Sequence, residues 1–291
     1  MATTYNFTIR AQDSLGNVAT APRSITVQDP VGQPPNTYAN LTSWFDGHAG
    51  PMFMGITADS GTPSATDDVV KRWSSSAPLN RTLIGPYDGA ERRSLAGNGG
   101  GDFYGVMKHE GMSFLDAYTT PSRNNAPATR STLNNFVSAS NAIVIAVVRV
   151  LNAGPSQGAA YSNDTLFGDS GGYFGVHCYK LNATTCRFQG LNWASSGGAV
   201  VSADAPFGEF VCVTVRHNAG QLRIRINSGP WTSVASGNTA SMTGTVLVAG
   251  SSMSAFELDL AQLVTYNANR SDAEVAEVER FLMARATGVV L

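Results

Sequence analysis

From Ala142 to Leu151 the sequence reads Ala-Ile-Val-Ile-Ala-Val-Val-Arg-Val-Leu, a run rich in β-branched residues with one charge in it. A stretch this short, continuously apolar and rich in Val and Ile, is a strand covered on both faces, because a half-exposed strand alternates apolar with polar residues. A second segment supplies that alternation: in Leu222-Arg-Ile-Arg-Ile226 the apolar residues fall at every other position between Arg223 and Arg225. One face of it belongs to a core and the other to solvent. Asn218-Ala219-Gly220 makes the turn before it and pairs it with a strand ending near Arg216. Further strands are expected over Tyr173 to Tyr179, Thr185 to Gln189, Phe210 to Arg216, Thr245 to Ala249 and Phe256 to Tyr266. The pattern implies a double-layered antiparallel sandwich.

Composition points the same way. Charged residues make up 14% of the 291 residues, and 30 glycines accompany many Ser, Thr and Asn. This mixture favours strands and turns over salt-bridged helices. One helix is nevertheless expected near the C-terminus. Ser271 and Glu274 form a capping box, Val275, Val278 and Leu282 share a face, and the helix ends near Thr287-Gly288. The 19 basic and 21 acidic residues nearly balance without forming runs, so a nucleic-acid partner is not expected. No apolar stretch approaches the length of a bilayer span, and Met1 to Tyr5 lacks a signal-type pattern, so neither membrane insertion nor ordinary secretion is expected. Cys178, Cys186 and Cys212 are too few for a disulfide scaffold or a zinc cluster. They are expected reduced and buried, with Cys178 and Cys186 the one pair able to meet across a hairpin.

The N-terminal residues divide from the rest. Tyr5, Phe7, Ile9 and Ala11 alternate with polar residues, Asp13 to Asn17 makes a turn, and Ile25 and Val27 lie on a returning strand. Residues 1–29 are therefore expected to form a hairpin and residues 30–37, with Pro30, Pro34 and Pro35, an extended linker standing clear of both neighbours. Residues 38–291 would form the sandwich. An isolated two-stranded ribbon is marginal in water. Tyr5, Phe7, Ile9, Ile25 and Val27 are accordingly assembly-anchor candidates, docking on a second copy or on another protein, the alternative being that the ribbon folds back on its own sandwich.

The phrase from Tyr5 to Asn17 resembles the final strands of immunoglobulin-like sandwiches in bacterial surface and phage tail proteins. The order of later elements, ending in Leu258-Asp-Leu-Ala-Gln-Leu-Val-Thr-Tyr-Asn267, Ser271-Asp-Ala-Glu274 and a helix, resembles concanavalin A-like, laminin-G-type jelly rolls. The resemblance implies an all-β antiparallel jelly-roll sandwich with one C-terminal helix and an N-terminal hairpin. Together the two parts are similar to phage tail, fibre or capsid-decoration proteins. What this implies is a non-enzymatic virion surface protein, assembled in the host cytoplasm, with virion structural proteins as partners, a homo-oligomeric state of which a trimer is favoured, and a lectin-like domain for surface glycans. A purely structural decoration protein and a glycan-degrading enzyme are the alternatives.

Four constellations bear on chemistry. Gly168-Asp169-Ser170-Gly171-Gly172 matches the pentapeptide around a trypsin-like nucleophile, but none of His48, His109, His177 and His217 has the matching context, and a Gly-rich hairpin turn is the better reading. Glu257 and Asp259 share a strand face, and laminarinase-type hydrolases of the resembled fold carry a further Glu where Ala261 and Gln262 stand. A solvated strand face is expected there, and no catalytic residue is assigned. Asp67 with Asp68, and Asp164 with Asp169, could offer oxygens to calcium, yet neither has the spacing of an ion loop, so no metal site and no cofactor are assigned, calcium remaining open. For glycans the candidates are Trp193 and Asn192, expected in a polar loop, and Tyr173 beside Asp169. Trp73 and Trp231 are expected in the core.

Overall fold

The computed structural model describes residues 2–12, 14–28, 32–47, 52–53, 68–69, 72–76, 82–84, 106–110, 114–118, 129–131, 141–153, 164–169, 174–194, 197–237, 246–250 and 257–287. In chain order the elements are β1 (Ala2–Gln12), β2 (Val18–Gln28), a 3-10 turn (Pro35–Thr37), β3 (Leu41–Asp46), β4 (Met52–Phe53), β5 (Asp68–Val69), β6 (Arg72–Ser74), β7 (Thr82–Ile84), β8 (Val106–Glu110), β9 (Phe114–Tyr118) and β10 (Thr129–Ser131). They continue as β11 (Asn141–Asn152), β12 (Asp164–Asp169), β13 (Phe174–Lys180), β14 (Thr185–Ala194), β15 (Gly197–Pro206), β16 (Phe210–Asn218), β17 (Gln221–Ile226), β18 (Thr232–Ala235), β19 (Val246–Gly250), β20 (Glu257–Tyr266) and helix α1 (Asp272–Thr287).

Among the described residues two large antiparallel sheets form a sandwich. The first runs β15-β14-β13-β12-β19-β10-β7-β6-β4 and the second β18-β17-β16-β11-β20-β9-β8-β5, with β3 also paired to β20. The chain passes from β10 to β11, β11 to β12, β15 to β16, β18 to β19 and β19 to β20 by changing sheet each time. The fold is thus all-β, with a C-terminal helix and an N-terminal hairpin.

β11 shows why its sequence is apolar throughout. Val144, Ala146, Val148 and Val150 enter the core between the sheets with Phe45, Trp73, Phe188 and Val215. Ile143, Ile145 and Val147 point the other way, into a second core with Val275, Val278, Leu282 and Trp44. The helix therefore covers the outer face of the second sheet, and a polar residue on either side of β11 would be stranded from water. Ser271 caps the helix as its sequence requires, with its N–H donating to Glu274 Oε2 at 2.8 Å. That bond and the one from the Ser271 hydroxyl hold the Glu274 carboxyl below the usual range.

The β16–β17 turn is tight, with Asn218 opposite Gln221 and positive φ at both Ala219 and Gly220, as a type I′ hairpin demands. β1 and β2 pair over their whole length, from Ala2 opposite Gln28 to Gln12 opposite Val18. Among the described residues they pair with no other strand. Residues 33–38, by contrast, do not stand clear as a free linker. Gln33 N–H donates to the Glu277 carbonyl, Tyr266 Oη donates to the Pro35 carbonyl at 2.8 Å, and Pro35 is buried. Gly32 passes so close to the helix backbone that a Cβ would lie 2.2 Å from the Glu277 oxygen. The chain leaving the ribbon is strapped to α1.

All three cysteines are buried free thiols. Cys186 stands opposite Lys180 and Cys178 opposite Phe188, so the two are diagonal neighbours on one hairpin face. The side chain of Cys178 hydrogen-bonds that of Cys186 and lowers the Cys186 pKa. Trp73 is in the core, whereas Trp231 is only partly buried, lying against the helix-side core.

Candidate functional site

Three neighbouring strands converge at one end of the first sheet. β12 ends at Asp169, β13 begins at Phe174 immediately after Tyr173, and β14 carries Asn192 opposite Phe174. Trp193 follows, opposite Gly198 of β15. With strands roughly 4.8 Å apart, two interstrand steps separate the β12 end from β14, a span of about 10 Å that suits one or two sugar rings. Tyr173 and the side chains of Asp169 and Trp193 lie outside the described residues.

Trp193 is not in a loop. β14 continues to Ala194 and β15 starts at Gly197, leaving only residues 195 and 196 between them. The strand persists because Asn192, Trp193 and Ala194 find backbone partners in Ala199, Gly198 and Gly197, a segment whose glycines and small residues read as loop.

Asn192 lies beneath this rim. Positions 186 and 188 of β14 face the other sheet, and a Cβ at Gly190 would meet Val215 there, so Asn192 enters the space between the sheets. Its amide is fully buried and donates to Ser236 Oγ at 3.2 Å. Ser236 N–H in turn donates to the Gly220 carbonyl, and the Ser236 carbonyl lies 3.2 Å from His217 Nε2. Asn192 is thus a clasp between the sheets that props the end of the sandwich, where the sequence pattern had placed it among surface ligand groups.

The carboxylate strand has a different environment from the solvated face expected of it. Asp259 is 1% exposed and forms an ion pair with Arg149 at 2.5 Å. The Arg149 guanidinium also lies 4.8 Å from the centre of the Phe210 ring. Asp259 is buried because β20 is flanked on one side by β11 and on the other by β9, with Asp259 opposite both Arg149 and Asp116. Of the positions where a third carboxylate would stand, Ala261 is the extra residue of a bulge and Gln262 is buried, accepting from Trp44 Nε1 and donating to Asp46. The Asp259 carboxylate is thus engaged in a structural ion pair within the sheet.

Asp164 and Asp169 occupy opposite ends of the six-residue β12. A strand rise of ~3.4 Å per residue puts them about 17 Å apart, too far to share one calcium ion. Asp67 and the Ser170–Gly172 part of the pentapeptide lie outside the described residues, among which no group of three or more His, Cys, Asp or Glu could hold a metal ion. His177 and His217 are buried.

The polar cluster that sequence reasoning missed sits under α1. Glu279 is fully buried and its carboxylate accepts from Thr214 Oγ1 at 2.5 Å, Arg225 Nε at 2.8 Å and Ser228 Oγ at 2.6 Å. Arg225 and Arg216 guanidinium groups stand 4.3 and 4.7 Å from the Trp231 ring centre. Arg216 also pairs with Asp272, and Asp46, nearly as buried as Glu279, pairs with Arg285 at 2.7 Å. Burial pushes the Cys212 thiol well up, and the Glu279 charge adds to it. The available signal was the position of Glu279 itself, one residue after Val278 and three before Leu282, inside the helix's apolar stripe. These pairs bolt the helix to the sheet.

No family model matches the chain, and no curated protein matches it. Solved structures do. One is botulinum neurotoxin type C, described as dependent upon interaction with two ganglioside molecules to enter cells, at 9% identity and a TM-score of 0.55, covering 85% of this chain and 52% of that one. Another is the binding domain of botulinum neurotoxin DC in complex with rat synaptotagmin II, at 8% identity and a TM-score of 0.54, covering 84% and 52%. A third is the botulinum neurotoxin serotype C1 binding domain, at 8% identity and a TM-score of 0.52, covering 84% and 52%. The chain spans about half the length of these structures. At such identity the likeness defines a class by fold alone, an all-β sandwich shared with toxin binding domains.

Proposed function

We infer that this chain is a non-enzymatic attachment protein of a phage virion, displayed on the particle surface after assembly in the host cytoplasm. Its sandwich binds surface glycans, and its N-terminal ribbon fastens it to the assembly. The observation that carries the glycan reading is the strand order, in which β12 ends at Asp169 beside β13 and β14 carries Asn192 and Trp193 at the same end of the sheet, over a sugar-sized span. An aromatic face suits the CH side of a sugar ring, and a carboxylate or amide suits its hydroxyls. The fold likeness to a toxin dependent upon ganglioside molecules supports the same class of ligand. The virion role is supported by the sequence resemblance. Engagement of Asp259 by Arg149 favours binding over hydrolysis.

A glycan array followed by titration calorimetry tests this on the full chain. Hits are expected, and Trp193→Ala should weaken the best of them at least ~10-fold, about 1.4 kcal/mol, with Arg187→Ala in the same sheet as the unaffected control. No hits at high protein concentration would overturn the glycan reading in favour of a purely structural decoration role. Reducing-end release from a bound polysaccharide would overturn the non-enzymatic one.

A further inference from the structure

The ribbon has two edges, and they are not alike. Pro22 of β2 stands opposite Thr8 within an unbroken ladder. A proline without an N–H keeps such a ladder whole only at a non-hydrogen-bonded pair, where its nitrogen faces outward. The Pro22 carbonyl, which faces the same way as its nitrogen in such a pair, accepts from Arg23 Nη1 at 3.4 Å. On the β2 edge, therefore, one donor is missing and the adjoining acceptor is taken. These are devices that stop a sheet from growing.

The same register fixes the other edge. If Thr8 opposite Pro22 is a non-hydrogen-bonded pair, then Thr4, Asn6, Thr8 and Arg10 all turn their N–H and C=O groups to the free side of β1. No proline interrupts β1. Phe7 and Ile9 are 42% and 49% exposed, and a depression of about 350 Å³ lined by Asn6, Phe7, Thr8, Pro22, Arg23 and Ser24 surrounds the middle of the ribbon.

We propose that β1 pairs antiparallel with β1 of a second copy of this chain about a two-fold axis centred on Phe7, making a four-stranded β2-β1-β1-β2 sheet. This deepens, and rests on, the reading of the ribbon as the anchor. In that register Thr4 lies opposite Arg10 of the second copy and Asn6 opposite its Thr8, so every outward-facing backbone group of one strand meets an outward-facing group of the other. Position 5 lies opposite Ile9 and Phe7 opposite Phe7, so the odd-numbered positions that carry exposed Phe7 and Ile9 meet across the pair. Shifting by one residue would put apolar against polar positions and leave the backbone groups mismatched.

The charges choose among the registers that keep this parity. β1 and β2 contain Arg10 and Arg23 and no acidic residue. A register that put the two Arg10 side by side would be repelled, whereas this one separates them by six residues, about 20 Å, beyond the ~8–10 Å screening length. Because the β2 edges are blocked, growth stops at two copies and closes on an isologous dimer, in place of a trimer or a fibre.

Sedimentation of the full chain over a wide concentration range tests the proposal, with Thr8→Pro blocking the β1 edge and Ser24→Pro further blocking the β2 edge. The wild type and Ser24→Pro are expected to be dimers, and Thr8→Pro should raise the dissociation constant at least ~100-fold. Equal loss in both variants, or a monomeric wild type, would overturn it. Hydrogen exchange supplies the check if Thr8→Pro disturbs the ribbon. In the wild type, protection of the Thr4, Asn6, Thr8 and Arg10 amides should rise with protein concentration, while that of Phe7 and Ile9, bonded within the hairpin, stays constant. Edge amides whose protection ignores concentration would overturn the pairing. A monomer whose ribbon is protected only in the native assembly overturns the second copy but leaves the anchor standing; a ribbon unprotected even there removes both.

Discussion

Replacing Glu279 by glutamine should be among the most damaging conservative changes in the protein. The shape is kept, but three donors converge on the carboxylate, and Arg225 would be left 6% exposed with no counter-charge. Breaking a buried pair by removing one partner costs about 3–5 kcal/mol, since the remaining ion can neither reach water nor find a substitute. Against a typical total of ~5–15 kcal/mol this is a third or more of the stability. Removing both charges is different in kind. Arg225→Met with Glu279→Met eliminates two desolvation penalties together with the attraction, and the double variant should lie within ~1–2 kcal/mol of wild type. Urea unfolding followed by tryptophan fluorescence is the assay, because Trp44 and Trp231 both belong to the helix-side core and report directly on loss of α1. A double-mutant cycle with Glu279→Met, Arg225→Met and the pair yields the coupling. If Glu279→Gln shifted stability by less than ~1 kcal/mol, or the double variant were as poor as the sum of the singles, the helix would be held by its apolar face alone and the bolt argument would be wrong.

Gly190→Ala should destabilise by ~1–3 kcal/mol in the same urea assay, because its Cβ would stand 2.9 Å from Val215 Cγ1, and Val215→Ala should recover much of that loss. The helix cap gives a pH signature: the Glu274 carboxyl is held low in the folded state by the Ser271 N–H and hydroxyl, so its contribution is present above the ordinary carboxylate pKa of ~4.3 and lost as pH falls through the folded value. Glu274→Ala should accordingly cost no more than ~1 kcal/mol at pH 6, given its exposure, and the gap to wild type should narrow in denaturation curves taken at pH 2.

Much of this fold was legible because burial is periodic. The unbroken apolar run announced a strand covered twice, and β11 carries one core on each side; the alternation at 222–226 announced β17, and Ser271 with Glu274 announced the start of α1. β15 was not legible. Its Gly197-Gly-Ala-Val-Val-Ser sequence has loop composition, and although Ala199, Val201 and Ala205 do enter the core, their small side chains leave backbone pairing to β14 as the main mark of the strand. That one omission also misplaced Trp193 in a loop. Of the candidate residues the strand order brings Asp169, Asn192 and Trp193 to one end of a sheet, Tyr173 lying outside the described residues, but the sequence could not say that Asn192 faces inward, because apolar Leu191 and Trp193 on either side of it assign the polar position to the outer face.

The buried charges were the least legible, and the reason is physical. A hydrophobic stripe tolerates a carboxylate only where the facing element supplies its donors, so Glu279 is explained by Thr214, Arg225 and Ser228, all more than fifty residues away. The same logic runs through the ribbon, where Pro22 has meaning only beside Thr8 and only once the ladder's parity is known. In both places an apparently unfavourable residue carries information about its surroundings: Glu279 requires the second sheet beneath the helix, and Pro22 distinguishes the two edges of the ribbon. Glu279 finds its partner inside the chain, whereas β1 pairs among the described residues only with β2, and the two-fold pairing proposed above would occupy its other edge.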